Sequence, residues 1–155
     1  MTRRDAVTRV RGGVSEALGM TDGFHGRLHH VTPDDLTDET AQTGGMFRRA
    51  AVSGRTVGST KLWMGQTHVR PATASADHHH GDTETAIYVV AGHPVFVFLE
   101  GGEEVRIETS PGDYVFVPPW VPHREENPSP DIEAVVVIAR SSQDAVVVNL
   151  PSLRG

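Results

Sequence analysis

A chain of 155 residues, 37 % of them apolar, can bury one core and is too short for two. Its net charge of −6, with the early basic residues Arg3, Arg4, Arg9 and Arg11 spread too thinly to form a stripe, argues against nucleic acid as a partner. The absence of cysteine removes disulfides, thiolate ligands and cysteine nucleophiles, which leaves histidine nitrogen and carboxylate oxygen as the strong metal-binding chemistry.

The opening MTRRDAVTRVRGG lacks the apolar stretch of a secretory signal, and the longest apolar runs, such as Ala134–Ala139, are too short to span a bilayer. The expectation is a cytoplasmic protein with no membrane partner. Residues 1–45 are rich in Thr, Asp, Gly and Arg and hold no sustained period; they read as an N-terminal arm, partly irregular, ahead of a single domain over 46–155. Within the arm, Thr32 before Pro33 and two acids predicts a capped helical turn. His25, His29 and His30 also lie in it and are read as exposed, without a role.

From Met46 onward short β-type runs alternate with Gly, Pro, Asp and Asn clusters, the pattern of an antiparallel all-β sandwich or barrel. The predicted strands are Phe47–Val52, Lys61–Arg70, Ala86–Val90, Pro94–Glu100, Glu103–Glu108, Tyr114–Val117, Glu133–Arg140 and Ala145–Leu150. Turn chemistry between them comes from GHP, EGGE, SPGD, PPWVP and NPSPD. Pro94–Glu100 and Ala134–Ala139 are apolar on both faces and are expected to be covered on two sides, by a second sheet or by a second copy of the chain in a homodimer.

The segment ADHHHGDTETAIYVVAGH carries the strongest local signal. A strand points alternate side chains to one face, so His78 and His80 can converge while His79 faces away. The downstream partner is His123, in a loop where Pro118, Pro119 and Pro122 limit the freedom an imidazole would lose on binding a metal. His93 follows Gly92 in a turn and reads as structural. Gln66 and His68 share a face of their strand and would add a ligand or a supporting hydrogen bond if that face points inward. Asp82 and Glu84 offer carboxylates that could act as general base beside a metal-bound carbonyl.

Both histidine segments resemble the two sequence motifs of the cupin superfamily. The second motif is matched by Gly112, Pro118, His123 and Asn127, with Trp120 where the family has Gly; the first is matched by His78, His80 and Gly92, with Glu84 near the acid position. The resemblance covers roughly Gly58 to Leu150. It implies a double-stranded β-helix, a jelly-roll barrel, whose mouth holds one divalent transition metal ion (zinc, iron, manganese or nickel) on His78, His80, His123 and usually a Glu. The run HHHGDTETAIYVVAG…PPWVPH also resembles small bacterial cupins, among whose single-domain relatives are zinc-binding cyclases of aromatic polyketide pathways.

One departure bears on the ligand count. Glu84 fits the spacing from His80, yet counting back from Gly92 places Thr85 in the acid slot, and strand neighbours face opposite ways. Either a bulge turns Glu84 inward or Thr85 fills the slot and three histidines remain, with positions left open for substrate. The sequence therefore points to a metal-dependent enzyme acting on a small, partly hydrophobic molecule in a mouth lined by side chains such as Phe96, Phe98, Tyr114 and Trp120. Cyclase or isomerase-like chemistry leads, a metal-dependent dioxygenase is a rival on the same site, and a non-catalytic ligand-binding cupin is the alternative of a different class.

Overall fold

The computed structural model describes residues 26–143 and 147–155, so His25 and the first residues of the last predicted strand lie outside the described residues. The strands are β1 (Met46–Val52), β2 (Trp63–Val69), β3 (Thr73–Ala74), β4 (His78–His79), β5 (Thr85–Ala91), β6 (Val95–Glu100), β7 (Glu103–Glu108), β8 (Tyr114–Val117), β9 (His123–Asn127), β10 (Ala134–Arg140) and β11 (Val148–Asn149), with one short helix, α1 (Gly54–Val57). Eight of these overlap the runs predicted from sequence, β1 and β5 reaching one residue beyond them. Strands β3 and β9 were not anticipated, while β4 carries the strand alternation read at His78–His80: HREEN is polar along its length and carries no apolar alternation, so it reads as loop.

The strands form two antiparallel sheets. Sheet 1 has five strands in the order β1-β2-β10-β5-β8. Sheet 2 follows the order β11-β4-β9-β6-β7, with β3 added beside β9. Sequence neighbours that pair with distant strands, such as β2 with β10 and β4 with β9, make the crossing pattern of a jelly roll rather than a meander. Strict alternation along β2, β5 and β10 turns Trp63, Ile87, Val89, Val136 and Ile138 inward, where they pack with Ala50, Val117 and Phe96 into the main apolar cluster.

The two doubly apolar runs are covered within the chain itself. On β6, Val95 and Val97 pack against Leu153 near the C-terminus while Phe96 points to the opposite face and the main cluster. On β10, Val137 lines a shallow groove with Val31, Pro33 and Leu36, which places the arm over the outside of sheet 1. Arg49 fastens the arm there by donating to the Leu36 carbonyl at 3.1 Å, and Thr37 bridges to Ala50. The turn expected in the arm is a single 3-10 turn, Pro33–Asp35, closed by Thr32 donating its N–H and hydroxyl to the Asp35 carboxylate at 2.8 and 2.7 Å. No helix among the described residues is long and apolar enough to cross a membrane.

Candidate metal centre

The three histidines are brought to the inner face of sheet 2 by pairing and alternation. His78 on β4 lies directly opposite His123 on β9, and His80 follows two residues later on the same side. All three are buried at 3 % exposure, and one ligating nitrogen from each lies within 4.8 Å of the others. Their rings are 4.4 to 5.1 Å apart between centroids. His79 points away and packs on the Trp120 ring at 5.5 Å.

Two loops hold the group. After His80 the chain reverses at Gly81, whose φ of +59° is in the left-handed region, and the His80 carbonyl accepts the Thr83 N–H at 3.1 Å. The Gly81 carbonyl accepts the Trp120 N–H at 2.7 Å, which ties the loop behind His80 to the loop before His123. Trp120 itself has φ +64°, a conformation that costs a non-glycine residue about 1–2 kcal/mol and accounts for the glycine that the cupin motif has there.

The tautomers follow from the hydrogen bonds. His78 Nδ1 is 2.8 Å from the Ala76 carbonyl and His123 Nδ1 is 2.9 Å from the Val121 carbonyl. A carbonyl only accepts, so both Nδ1 atoms carry the proton and Nε2 is the nitrogen left to each ring for ligation. His123 Nε2 is buried with no hydrogen-bond partner among the described residues. Burial, reinforced by the neighbouring His123, holds His78 below the ordinary imidazole value, which keeps it in the neutral, ligating form. These residues fit a transition metal: three nitrogens converge, and one of them is orphaned in a way a protein without a ligand would not tolerate cheaply.

The carboxylate considered as fourth ligand lies elsewhere. Strand β5 runs in unbroken register with its partners from Thr85 to Ile87, so no bulge rotates the chain there, and alternation puts Thr85 inside at 1 % exposure with Glu84 outside. Glu84 is exposed and joined through its backbone to Ser141, apart from the histidine group. It is therefore placed neither to ligate nor to act as base, and Asp82 is exposed as well. Gln66 and His68 share a face, as expected, but it is the outer one, where His68 meets Glu133 at 2.7 Å. His93 bonds the Thr109 carbonyl at 3.1 Å in its turn.

An apolar cleft of about 410 Å³ opens between the edge strands β7 and β8 and reaches His123; Phe96, Phe98, Val115, Phe116 and Val117 are among its walls. Phe98 stands directly opposite His123 across β6 and β9. Of the four pocket residues expected from sequence, Phe96 and Phe98 line this cleft, whereas Tyr114 and Trp120 are 79 % and 63 % exposed and stand outside it.

Sequence reasoning missed three buried charged residues. Glu125 is 5 % exposed and, two positions beyond His123 on β9, shares the inner face; Arg48 and Arg140, at 3 % each, are inward on β1 and β10. For Glu125 the signal was present as the i, i+2 spacing from His123, hidden because HREEN was not read as a strand.

The cupin domain family matches residues 65–139, a span that includes all three histidines. Protein SchB of Streptomyces halstedii is 31 % identical over 107 residues, covering 69 % of this chain and 72 % of that protein. The chain belongs to the cupin family. Among solved structures, a Bacillus subtilis oxalate decarboxylase superposes with a TM-score of 0.61 at 22 % identity over 72 % of this cupin, which spans only 30 % of the decarboxylase chain. An oxalate oxidase bound to glycolate gives 0.60 at 18 %, covering 73 % of this cupin and 60 % of the oxidase. Peruvianin-I, described as a cysteine peptidase of Thevetia peruviana latex, gives 0.59 at 14 % over 77 % of this cupin and 79 % of its own chain. At these identities the likeness establishes the double-sheet barrel and nothing about reaction.

Proposed function

We propose that this cupin is a metal-dependent enzyme acting on a small, partly hydrophobic organic molecule, with cyclase or isomerase-like chemistry at a carbonyl or enolate. The observation that carries the reading is the placement of His123: its unpartnered Nε2 belongs to a buried triad, and the same residue lines an apolar cleft wide enough for an organic ligand. His78, His80 and His123 would hold one divalent transition ion, which when bound supplies a Lewis acid for polarising substrate oxygen.

The chain's own residues do the rest. The Ala76 and Val121 carbonyls fix two imidazoles in the ligating tautomer, so little ordering remains to be done on binding. Phe96, Phe98 and Val117 keep water from the reacting end of the cleft. Thr85 in the inward acid slot leaves the centre without a carboxylate ligand, so more positions stay open to substrate than in a four-ligand cupin.

Elemental analysis of the purified chain tests this: close to one transition ion per chain is expected, and none after His78→Ala with His123→Ala. Glu84→Gln and Thr85→Val should both leave the metal content unchanged. A wild-type chain that takes up no metal under supplementation would overturn the proposal. Turnover that requires oxygen would move the reading from cyclase or isomerase to dioxygenase on the same centre.

A further inference from the structure

The barrel interior carries a charge imbalance. Arg48 and Arg140 are both buried at 3 % exposure, and Glu125 is the one fully buried acid among the described residues. Counting these three side chains alone, the folded interior holds two positive charges against one negative before any cation enters, and a bound divalent ion enlarges the excess. Uncompensated charge out of water is costly, so a counter-charge belongs in the interior.

The surroundings of Arg140 say where. In the strand register it lies between Trp63 of β2 and Thr85 of β5, and its guanidinium sits 5.4 Å from the Trp63 ring centroid. Thr85 fills the inward acid slot of the cupin motif, so Arg140 stands next to the place where a fourth ligand would enter. The Nε of Arg140 and the hydroxyls of Thr83 and Thr85 are buried without a hydrogen-bond partner among the described residues. Burial and the like charge of Arg48 pull Arg140 down to about 10, which still leaves it protonated at neutral pH. The Nε of Arg48 is likewise buried without a partner among the described residues, but its Nη1 is taken up by the Ala41 carbonyl at 3.3 Å and the Thr43 hydroxyl at 2.7 Å, which turns that guanidinium toward the arm.

We propose that the interior is built to seat a carboxylate monoanion on Arg140, beside Thr85 and the histidine triad, with the hydrocarbon part of the same molecule in the apolar cleft. The planar guanidinium fork matches a carboxylate in two parallel hydrogen bonds, and the apolar walls of the cleft match the hydrocarbon it would carry. This assignment rests on the triad being the substrate-facing metal centre, and it narrows that reading to carboxylic acids.

Benzoate and benzamide, equal in shape and different in charge, are the probes, titrated calorimetrically into the full chain with zinc and without it. Benzoate is expected to bind at least about tenfold more tightly than benzamide in both forms, the scale of a charge-assisted hydrogen bond. In Arg140→Gln the preference should fall to within about threefold while the metal content stays at the wild-type level. If that variant does not fold, Arg140→Lys, which keeps the charge and loses the fork, should lose part of the preference. Equal binding of the two probes by the metal-free wild type would overturn the proposal, as would an undiminished preference in the folded Arg140 variant. The two readings fail separately: a chain that prefers benzoate but takes up no metal removes the metal centre and keeps the anion seat, and the reverse result does the opposite.

Discussion

The inner faces of the two sheets are made of different material. Sheet 1 contributes Ala50, Trp63, Ile87, Val89, Val117, Val136 and Ile138, a nearly continuous apolar surface with Arg48 and Arg140 on it as charged exceptions. Sheet 2 faces it with Phe96 but also with His78, His80, His123, Glu125 and Asn127. Sheet 1 therefore supplies most of the packing energy, and sheet 2 supplies ligands on short strands whose pairing, rather than burial of hydrocarbon, fixes their position.

The largest expected effect tests the packing side. Ile138→Ala removes a side chain that is 1 % exposed at the centre of sheet 1 and should cost about 2–5 kcal/mol in urea unfolding at constant slope. A cost under about 1 kcal/mol would mean the apolar cluster is not what holds the barrel.

Sheet 2 should respond in the opposite sense. His123→Ala relieves a buried Nε2 that has no partner while losing the Nδ1 bond to the Val121 carbonyl, so in metal-free protein it should cost less than Ile138→Ala, about 1–2 kcal/mol. Zinc at a hundredfold excess over its Kd should raise the wild-type unfolding free energy by about 2.7 kcal/mol and leave the variant unmoved. A zinc response retained by His123→Ala would separate metal binding from the triad and remove the contrast between the sheets.

The same contrast decides what could be read in the sequence. Strands of sheet 1 are short runs rich in apolar residues bounded by turn residues, and β1, β2, β5, β8 and β10 were all legible within a few residues. The metal ligands were legible for a different reason, since HHHGD and PPWVPH keep their spacing whatever the strands do. Between these two signals lay β9. Its inward residues are His, Glu and Asn, so the strand has no hydrophobic period, and with it Glu125 went unseen as an interior group. Arg48 and Arg140 were hidden by the ordinary expectation that arginine in a strand faces water. The choice between Glu84 and Thr85 needed the register of β5, which one residue of slip would reverse.

A smaller effect is expected at the joint between the two histidine loops. Trp120 is held at φ +64° by the bond from its N–H to the Gly81 carbonyl. Trp120→Gly keeps that bond and relieves the side-chain clash, against the entropy glycine adds to the unfolded chain, for a net gain of up to about 1 kcal/mol. A loss of stability would show that the indole's contact with His79 outweighs the backbone strain.

The smallest effect lies on the outer face of sheet 2, where charge is solvated instead of enclosed. There Glu126 accepts from Arg106 at 2.6 Å and from Arg124 at 2.7 Å, and Arg124 also donates to Glu104 at 3.0 Å. The hydrogen bond from Arg106, followed by that from Arg124, holds the Glu126 carboxyl below its ordinary value of 4.5. Because the folded value is the lower one, the stabilisation is fully present above the unfolded value and is lost as pH falls through the folded one. Glu126→Gln should therefore cost under about 1 kcal/mol at neutral pH, with the wild-type and variant unfolding curves converging below pH 4 and in high salt. An equal difference between the two proteins at pH 7 and pH 3 would assign Glu126 a packing role in place of an electrostatic one. Charge outside the barrel would then matter only through shape, and the buried Arg140 would be left as the position where its sign is felt.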